Sequence, residues 1–475
     1  MPDVPGTVPL PRRVAALCAR PARVMKATTD ADDEGFAEKV ASTASPGVVV
    51  ITSAGQPTSA TIAITRAPSG VTIGRGAPHG LLEEDVQVSR SHLQISLQDE
   101  QFLIEDLDSR NGTFVDGTRL EGAVTRPLDT STLIRIGRSL LWLVPDVRPF
   151  IGHKQPTAAG PVLGGLSRRA LEAIAIADKV GDTLLILGES GAGKELCART
   201  FHEVHFGADG RAPFIAVNCA AIPEGLAERL LFGARRGAFS GATDANGYIV
   251  EAHGGTLFLD ELAELDPLVQ AKLLRVLETR EVMALGATSS RKVQLRICAA
   301  THWDLRTAVN EGRFRADLYY RIGRPEVKMP ALRERLDEMP WFLQRAFAAV
   351  DPQLTAAIGT LEMCALRRWP GNVRELLLEA KHAAHAALAD SSQVVRPDHF
   401  APSAGLALSE SGSGPIPTLS SKPPAEVRTA AALDDAAIAS ALAEHQGNVS
   451  RAASALGLHR NQLRRWIAKR GGEEK

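Results

Sequence analysis

From Val48 onward the chain carries short apolar runs at close spacing. They are Val48-Val49-Val50-Ile51, Ala60-Thr61-Ile62-Ala63-Ile64, Val71-Thr72-Ile73, Leu93-Gln94-Ile95-Ser96-Leu97, Phe102-Leu103-Ile104 and Leu140-Leu141-Trp142-Leu143-Val144. Turn signals at Asn111-Gly112 and Asp116-Gly117 break them, and many short strands so spaced predict an all-β sandwich over 48–146. From 162 to 328 strand-like apolar runs alternate with helical stretches, the pattern of an α/β domain with a parallel sheet. Residues 329–396 read as helical only, and 428–475 again have helical periodicity. Between these lie three weaker segments. Residues 1–47 are rich in Pro, Ala and Thr, with acids at Asp30, Asp32, Asp33 and Glu34, and are expected to form a disordered leader. A linker at 147–161 carries Pro149, Pro156 and Pro161, and 397–427 is a flexible Ser/Gly/Pro-rich connection. The fold class is therefore multidomain: all-β, then α/β with an all-helical appendage, then all-α.

Composition narrows the function classes. The net charge of -1 leaves no whole-chain field for nucleic acid or membrane, so any DNA site must be a local basic patch. Cys18, Cys197, Cys219, Cys298 and Cys364 are odd in number, scattered and without metal-ligand spacing. They suggest a reduced, cytoplasmic protein without structural disulfides. No apolar run approaches a membrane span, and the basic N-terminus lacks the apolar core of a signal peptide.

The sharpest chemistry follows Leu184-Leu185-Ile186-Leu187. This buried-strand pattern leads into Gly188-Glu189-Ser190-Gly191-Ala192-Gly193-Lys194-Glu195 and then a helical stretch. Glycines let backbone N–H groups curl around phosphates, the lysine neutralises β/γ charge, and the helix N-terminus adds its dipole. The usual Ser/Thr magnesium ligand is replaced by Glu195. A second apolar strand, Thr256-Leu257-Phe258-Leu259, ends in Asp260-Glu261, placed to hold Mg2+ and to polarise an attacking water. Together they make ATP and Mg2+ the expected cofactors.

Over Leu163–Leu388 the chain resembles the AAA+ domain of sigma-54-dependent activators. Gly237-Ala238-Phe239-Ser240-Gly241-Ala242 resembles that family's GAFTGA loop, Gly312–Arg321 its arginine-finger segment, Pro330–Arg335 its PPLRER stretch, and Trp369–Leu376 its sensor II motif. The resemblance implies that Lys194 binds phosphate, that Asn218 restrains Glu261, and that Arg315 and Arg321 reach the neighbouring subunit's γ-phosphate. It implies that Arg374 senses nucleotide from a helical lid and that Gly237–Ala242 contact sigma-54. An in-trans finger requires a closed head-to-tail ring, for which the family implies a hexamer. A surface ion pair with Asp317 or Glu311 is the alternative for the two arginines. Three departures stand out: Ser240 replaces the loop threonine, His302 replaces the sensor I asparagine after Thr301, and Arg235-Arg236 replace Glu-Lys.

The sandwich resembles a fork-head-associated (FHA) domain through Gly74-Arg75, Ser89-Arg90-Ser91-His92, Asn111-Gly112-Thr113 and Ile136-Gly137. The resemblance implies a phosphothreonine site in which Arg75, Ser89, Arg90 and Arg110 meet the phosphate and Asn111 the peptide backbone, with His92 as a buried strut. An arginine fork and a hydroxyl donor suit the charge and three acceptors of a phosphate. In the tail, Asn448–Gly457 reads as a helix with a glycine stop and Leu458–Lys469 as a basic helix. This resembles a Fis-type helix-turn-helix. Arg460, Asn461, Gln462, Arg464, Arg465 and Lys469 would read or grip double-stranded DNA, and Ser450 and Arg451 would touch its backbone.

The expectation is a cytoplasmic transcription activator without membrane contact. It would bind upstream enhancer DNA as a dimer, assemble into a hexameric ring, read a phosphothreonine protein, and use ATP hydrolysis to open promoters bound by sigma-54 RNA polymerase. A DNA- and phosphoprotein-binding regulator that uses nucleotide only to set its oligomeric state is the alternative.

Overall fold

The computed structural model describes residues 44–65, 70–152, 156, 160–208, 210–223, 225–238 and 243–407. The leader before Ala44, Phe239–Ala242 of the GAFSGA segment and the whole basic tail lie outside the described residues.

The front domain is two antiparallel sheets. One has the order β2-β1-β10-β9-β6-β7, built from β1 (Gly47–Ser53), β2 (Gln56–Ala63), β6 (Thr113–Val115), β7 (Thr118–Arg119), β9 (Thr132–Ile136) and β10 (Ser139–Val144). The other has the order β3-β4-β5-β8, from β3 (Val71–Ile73), β4 (Leu93–Gln98), β5 (Gln101–Asp106) and β8 (Ala123–Pro127). Alternate residues fill the space between the sheets: Val48, Val50, Ile134, Leu141 and Leu143 meet Ile73, Leu93, Ile95, Phe102 and Ile104.

The central domain is a five-stranded parallel sheet in the order β12-β15-β18-β11-β19. Its strands are β11 (Thr183–Leu187), β12 (Phe214–Asn218), β15 (Thr256–Asp260), β18 (Arg296–Thr301) and β19 (Glu326–Lys328). The helices α1 (Gly165–Asp178) and α2 (Lys194–Phe206) cover one face through Leu171, Ile174 and Phe201. The helices α3 (Ala227–Phe232), α4 (Tyr248–Glu251), α5 (Pro267–Thr279), α6 (Leu305–Asn310) and α7 (Ala316–Ile322) cover the other, with Leu273, Leu277 and Leu318 inward. Burial on both faces explains why these strands read as unbroken apolar runs. Two small hairpin-like pairs, β13 (Gly233–Ala234) with β14 (Ala245–Asn246) and β16 (Glu281–Val282) with β17 (Arg291–Lys292), complete the domain. The first pair is the stem of the loop that carries Gly237 and Ala238.

The lid comprises α8 (Met339–Ala348), α9 (Ile358–Leu366) and α10 (Asn372–Ala389) around the fully buried Trp369. It is not purely helical: β20 (Thr355–Ala356) and β21 (Val394–Val395) pair in parallel and tie the α8–α9 connection to the segment after α10.

Sandwich and lid are not beads on a string. The outer face of β1, β9 and β10 is covered rather than solvated. Val49, Ile51, Leu133, Leu140, Trp142 and Val144 share one core with Leu336, Met339, Leu343, Leu361 and Ala365 of the lid region. Ile51 and Leu140 surround, with Met339, Pro340, Leu343, Leu361 and Ala365, a void too small for water.

Candidate nucleotide site and phosphate-reading loops

In a parallel sheet, ligand-binding loops emerge at the carboxyl ends of the strands. Register places those ends level: Leu187 lies opposite Thr301 and Asn218 opposite Asp260. The loop after β11 then turns tightly into α2. Gly191 has φ +73°, and a Cβ there would lie 2.1 Å from the Gly371 carbonyl oxygen of the lid. Gly193 has φ +107° and caps α2, so both positions require glycine. A cavity of about 460 Å³ lies against this loop. Its lining includes the polar Lys194, Asp260, Glu261 and Asn218, the apolar Pro161, Val162, Met329, Phe342 and Leu377, and Arg374 from the lid.

Lys194 is buried and donates to the Gly188 carbonyl at 3.0 Å and to Glu261 Oε1 at 2.9 Å. Glu261 adopts a left-handed backbone with φ +52°, a strained conformation for a residue with a side chain. Its second oxygen, Oε2, takes a hydrogen bond from His302 Nδ1 at 2.7 Å. Burial opposes its charge, yet the bonds from Lys194 and His302 outweigh burial and hold its carboxyl below the ordinary range. Asp260 goes the other way: burial, aided by the charge of Glu261, pushes its carboxyl up. Its Oδ1 accepts the Glu261 N–H at 3.1 Å.

Asp260 suits Mg2+ held by one carboxylate together with phosphate oxygens, because that ion keeps most of its water and needs few protein ligands. Among the described residues no three His, Cys, Asp or Glu side chains cluster as a self-sufficient metal cage. Glu195 also lines the cavity, and its carboxylate accepts from Arg199 at 2.7 Å one turn further along α2.

The remaining sequence-derived residues fall into two groups. Near the cavity, Arg374 reaches Ser190 Oγ at 3.4 Å. Glu189 accepts both arms of Arg333, at 2.8 and 2.5 Å. That contact, with help from Asn372, lowers its carboxyl to about 2. Away from the cavity, Thr301 is fully buried and its hydroxyl accepts the Trp303 N–H. Asn218, by contrast, lines the cavity; its carboxamide oxygen accepts the Ala220 N–H at 3.0 Å and caps a local turn, while His302 donates to Glu261. Arg315 pairs with Asp317 at 2.7 Å, and Arg321 donates to the Leu277 carbonyl at 3.1 Å. In the single chain the two finger positions are thus held by their own subunit.

Two positions escaped sequence reasoning. Arg335 is buried and donates to the Ala192 carbonyl at 2.5 Å, to Ser167 at 2.8 Å and to Glu338 at 3.0 Å, fastening the phosphate loop to α1 and to the entry of the lid. Asn372 donates to Glu189 at 3.1 Å and to the Ser190 carbonyl at 3.0 Å while accepting the Leu332 N–H. Both sit in motifs that were visible, but only the fold brings those motifs to the loop.

The sandwich loops present the second set of candidate residues in a different setting. Arg75, Arg90 and Arg110 are exposed, and none is in an ion pair with a described residue. Backbone pairing of Arg75 and Gly76 with Ser89 and Arg90 joins the two loop strands at 3.0 Å. Ser89 Oγ accepts the Arg110 N–H at 3.1 Å, which leaves its hydroxyl hydrogen available. Asn111 Nδ2 donates to the Gln87 carbonyl at 2.7 Å, which leaves its Oδ1 to accept. His92 is fully buried, accepting the Ser89 N–H at Nδ1 and facing the Gly112 carbonyl at Nε2. Burial pushes its pKa down, so the neutral ring braces both loops.

Comparison with known proteins defines the class first. Residues 165–328 match the Sigma-54 interaction domain, 71–137 the FHA domain, and 429–469 the Fis-family bacterial regulatory protein domain. The chain is 39% identical over 391 residues to an anaerobic nitric oxide reductase transcription regulator, NorR, of Aeromonas hydrophila, covering 77% of this chain and 74% of that one. It is 41% identical over 301 residues to the hydrogenase transcriptional regulatory protein HoxA of Bradyrhizobium diazoefficiens, covering 60% and 59%. A crystal structure of NtrX from Brucella abortus with ADP aligns at 25% identity with a TM-score of 0.47, over 68% of this chain and 70% of that chain. The chain belongs to the sigma-54-dependent transcriptional regulators, with an FHA domain in front of the AAA+ domain and a Fis-type helix-turn-helix behind. It spans 59% and 64% of the length of the first curated relatives it matches.

Proposed function

We propose that this protein is a transcription activator that couples ATP hydrolysis to the opening of promoters held by sigma-54 RNA polymerase, under the control of a phosphothreonine signal. The observation that carries the reading is the convergence of Lys194, Asp260, Glu261 and Arg374 on one cavity between sheet and lid. The apolar residues lining that cavity suit a purine base, and the polar ones suit a triphosphate with Mg2+ at Asp260. Lys194 leaves Glu261 for the phosphates, which frees Oε1 to accept a proton from the attacking water while His302 retains Oε2. Arg315 and Arg321 of an adjacent subunit trade their own-subunit contacts for the γ-phosphate, so full turnover requires a ring. Gly237–Ala242 on the β13–β14 stem transmit the movement to sigma-54. The basic tail, through Arg460, Asn461, Gln462, Arg464, Arg465 and Lys469, holds the assembly on upstream DNA in the cytoplasm. Arg75, Ser89, Arg90, Arg110 and Asn111 receive the phosphothreonine partner.

The test is transcription in vitro from a sigma-54 promoter with purified components, alongside ATP turnover at rising protein concentration. Wild type should open the promoter and hydrolyse faster per chain as it assembles, and Asp260→Ala should lose turnover yet keep DNA binding. Full hydrolysis by Asp260→Ala rejects the metal assignment. Turnover independent of concentration, with a promoter that stays closed, favours a regulator that uses nucleotide only to set its oligomeric state.

A further inference from the structure

The shared core between sandwich and lid serves neither phosphate site, so it calls for its own explanation. Ile51, Leu140, Trp142 and Val144 are each exposed by 5% or less, and they pack on Leu336, Met339, Leu343 and Leu361. A polar contact fixes the register: Arg135 pairs with Glu362 of α9 at 2.7 Å, with both side chains largely buried, while its guanidinium stacks 3.7 Å over Phe114. Gly117, at the β6–β7 turn, comes so close to α9 that a Cβ there would meet Leu366 at 3.1 Å.

The α/β subdomain, by contrast, keeps most of its apolar residues in two cores of its own, with Leu166 at the start of α1 packing against the shared core. Around the phosphate loop its links to the lid region are polar: Glu189 with Arg333, the Ser190 carbonyl with Asn372, and the Ala192 carbonyl with Arg335. Packed apolar cores resist deformation, whereas a polar seam around a ligand cavity can rearrange when the ligand supplies new partners. Helices α8 and α10 face both ways. They give Phe342 and Arg374 to the nucleotide cavity and Leu343 and Leu376 to the core shared with the sandwich.

We infer that the FHA sandwich and the lid form one rigid body, with the hinge between lid and α/β subdomain. Lid movement around nucleotide therefore carries the phosphothreonine-reading loops relative to the ATPase sheet. The FHA domain is a built-in arm of the lid rather than a module tethered by a linker. This rests on the reading of the cavity as a nucleotide site. It gives a phosphoprotein bound at the loops a route to nucleotide affinity, provided that partner also touches the α/β subdomain, because coupling between two sites is reciprocal.

The experiment measures distances by paired spin labels in the full-length chain with Cys18 replaced by serine. The native Cys197, Cys219, Cys298 and Cys364 are buried and should stay unlabelled. Labels at Arg126→Cys and Lys381→Cys span sandwich and lid, and labels at Arg126→Cys and Arg275→Cys span sandwich and α/β subdomain. A non-hydrolysable ATP analogue should shift the second distance and leave the first unchanged. A shift in the first distance, or none in the second despite saturating analogue, overturns the inference.

Charge exchange supplies an independent arm. Arg135→Glu and Glu362→Arg should each lower the unfolding temperature of the sandwich, and the double exchange should restore it, all without nucleotide. A wild-type sandwich that melts in a transition separate from the lid, or a double exchange that restores nothing, also overturns it. A chain that binds no ATP analogue at all defeats the nucleotide reading instead, while the unfolding arm still decides whether sandwich and lid are one body.

Discussion

The two candidate phosphate sites of the chain are built on opposite principles. In the sandwich, Arg75, Arg90 and Arg110 stand exposed without ion-pair partners among the described residues, on loops braced by neutral His92. In the ATPase domain, Lys194 is buried and committed to Glu261, and Arg315 is committed to Asp317. The first site can take a dianion with little rearrangement, because its cationic groups lose only water. In the proposed mechanism the second breaks its own ion pairs before it acts, with nucleotide and a neighbouring subunit supplying replacements.

The sharpest way to break this contrast is Lys194→Ala. It should weaken ATP binding by about 100-fold or more, the worth of two charge-assisted hydrogen bonds at roughly 1.5 kcal/mol each. Phosphopeptide binding should be unchanged, and calorimetry with each ligand separates the two outcomes. Arg75→Ala is the mirror experiment. Loss of one guanidinium fork should cost phosphothreonine peptide affinity about 10- to 50-fold and leave ATP affinity as it was. Equal loss with an unphosphorylated peptide would remove the phosphate from the argument.

A smaller effect is expected at the lock itself. His302→Ala should lower kcat by about tenfold, the value of one hydrogen bond near 1.4 kcal/mol, with KM for ATP nearly constant. Asn218→Ala should do less. His302→Asn should retain most of the rate, because asparagine Nδ2 lies the same number of bonds from the backbone as histidine Nδ1. A rise in KM rather than a fall in kcat would place His302 on the phosphate instead of on Glu261.

The smallest effect is a pH dependence confined to the sandwich. Burial depresses the folded pKa of His92, so the unfolded chain binds the extra proton first as pH falls. The contribution of His92 is complete above its ordinary value near 6.5 and is lost as pH drops through the depressed folded value. Thermal unfolding of wild type against His92→Gln between pH 7.5 and pH 5, two settings about one to one and a half units either side of an ordinary histidine, should show the gap narrowing toward acid. A gap that widens reverses the assignment.

Much of this was legible in the residues. The glycine-rich turn after an apolar strand, the Asp260-Glu261 pair and the Arg75, Ser89 and Asn111 set each carry local geometry in their own spacing, and the structure brings each set together. The partners of those sets were less legible. In this geometry His302 donates to Glu261, while the oxygen of Asn218, to which resemblance gave the restraining role, accepts the Ala220 N–H. The readings of Phe239–Ala242 and of the helix-turn-helix residues fall outside the described residues. A signal was also present and unused: Val48–Ile51 and Leu140–Val144 are continuous rather than alternating. In a sandwich that pattern means something covers the outer face.

The sequence by itself determined the local chemistry: which segments become strands, where backbone must turn through glycine, and which side chains can meet phosphate. Those properties depend on neighbours a few residues away, so spacing encodes them. Only the tertiary structure decided what closes on what. It laid the sandwich on the lid, brought Arg335 to the Ala192 carbonyl and set His302 against Glu261. Such contacts join residues up to hundreds of positions apart, and they form because apolar faces and buried charges must each find a partner once the chain is compact.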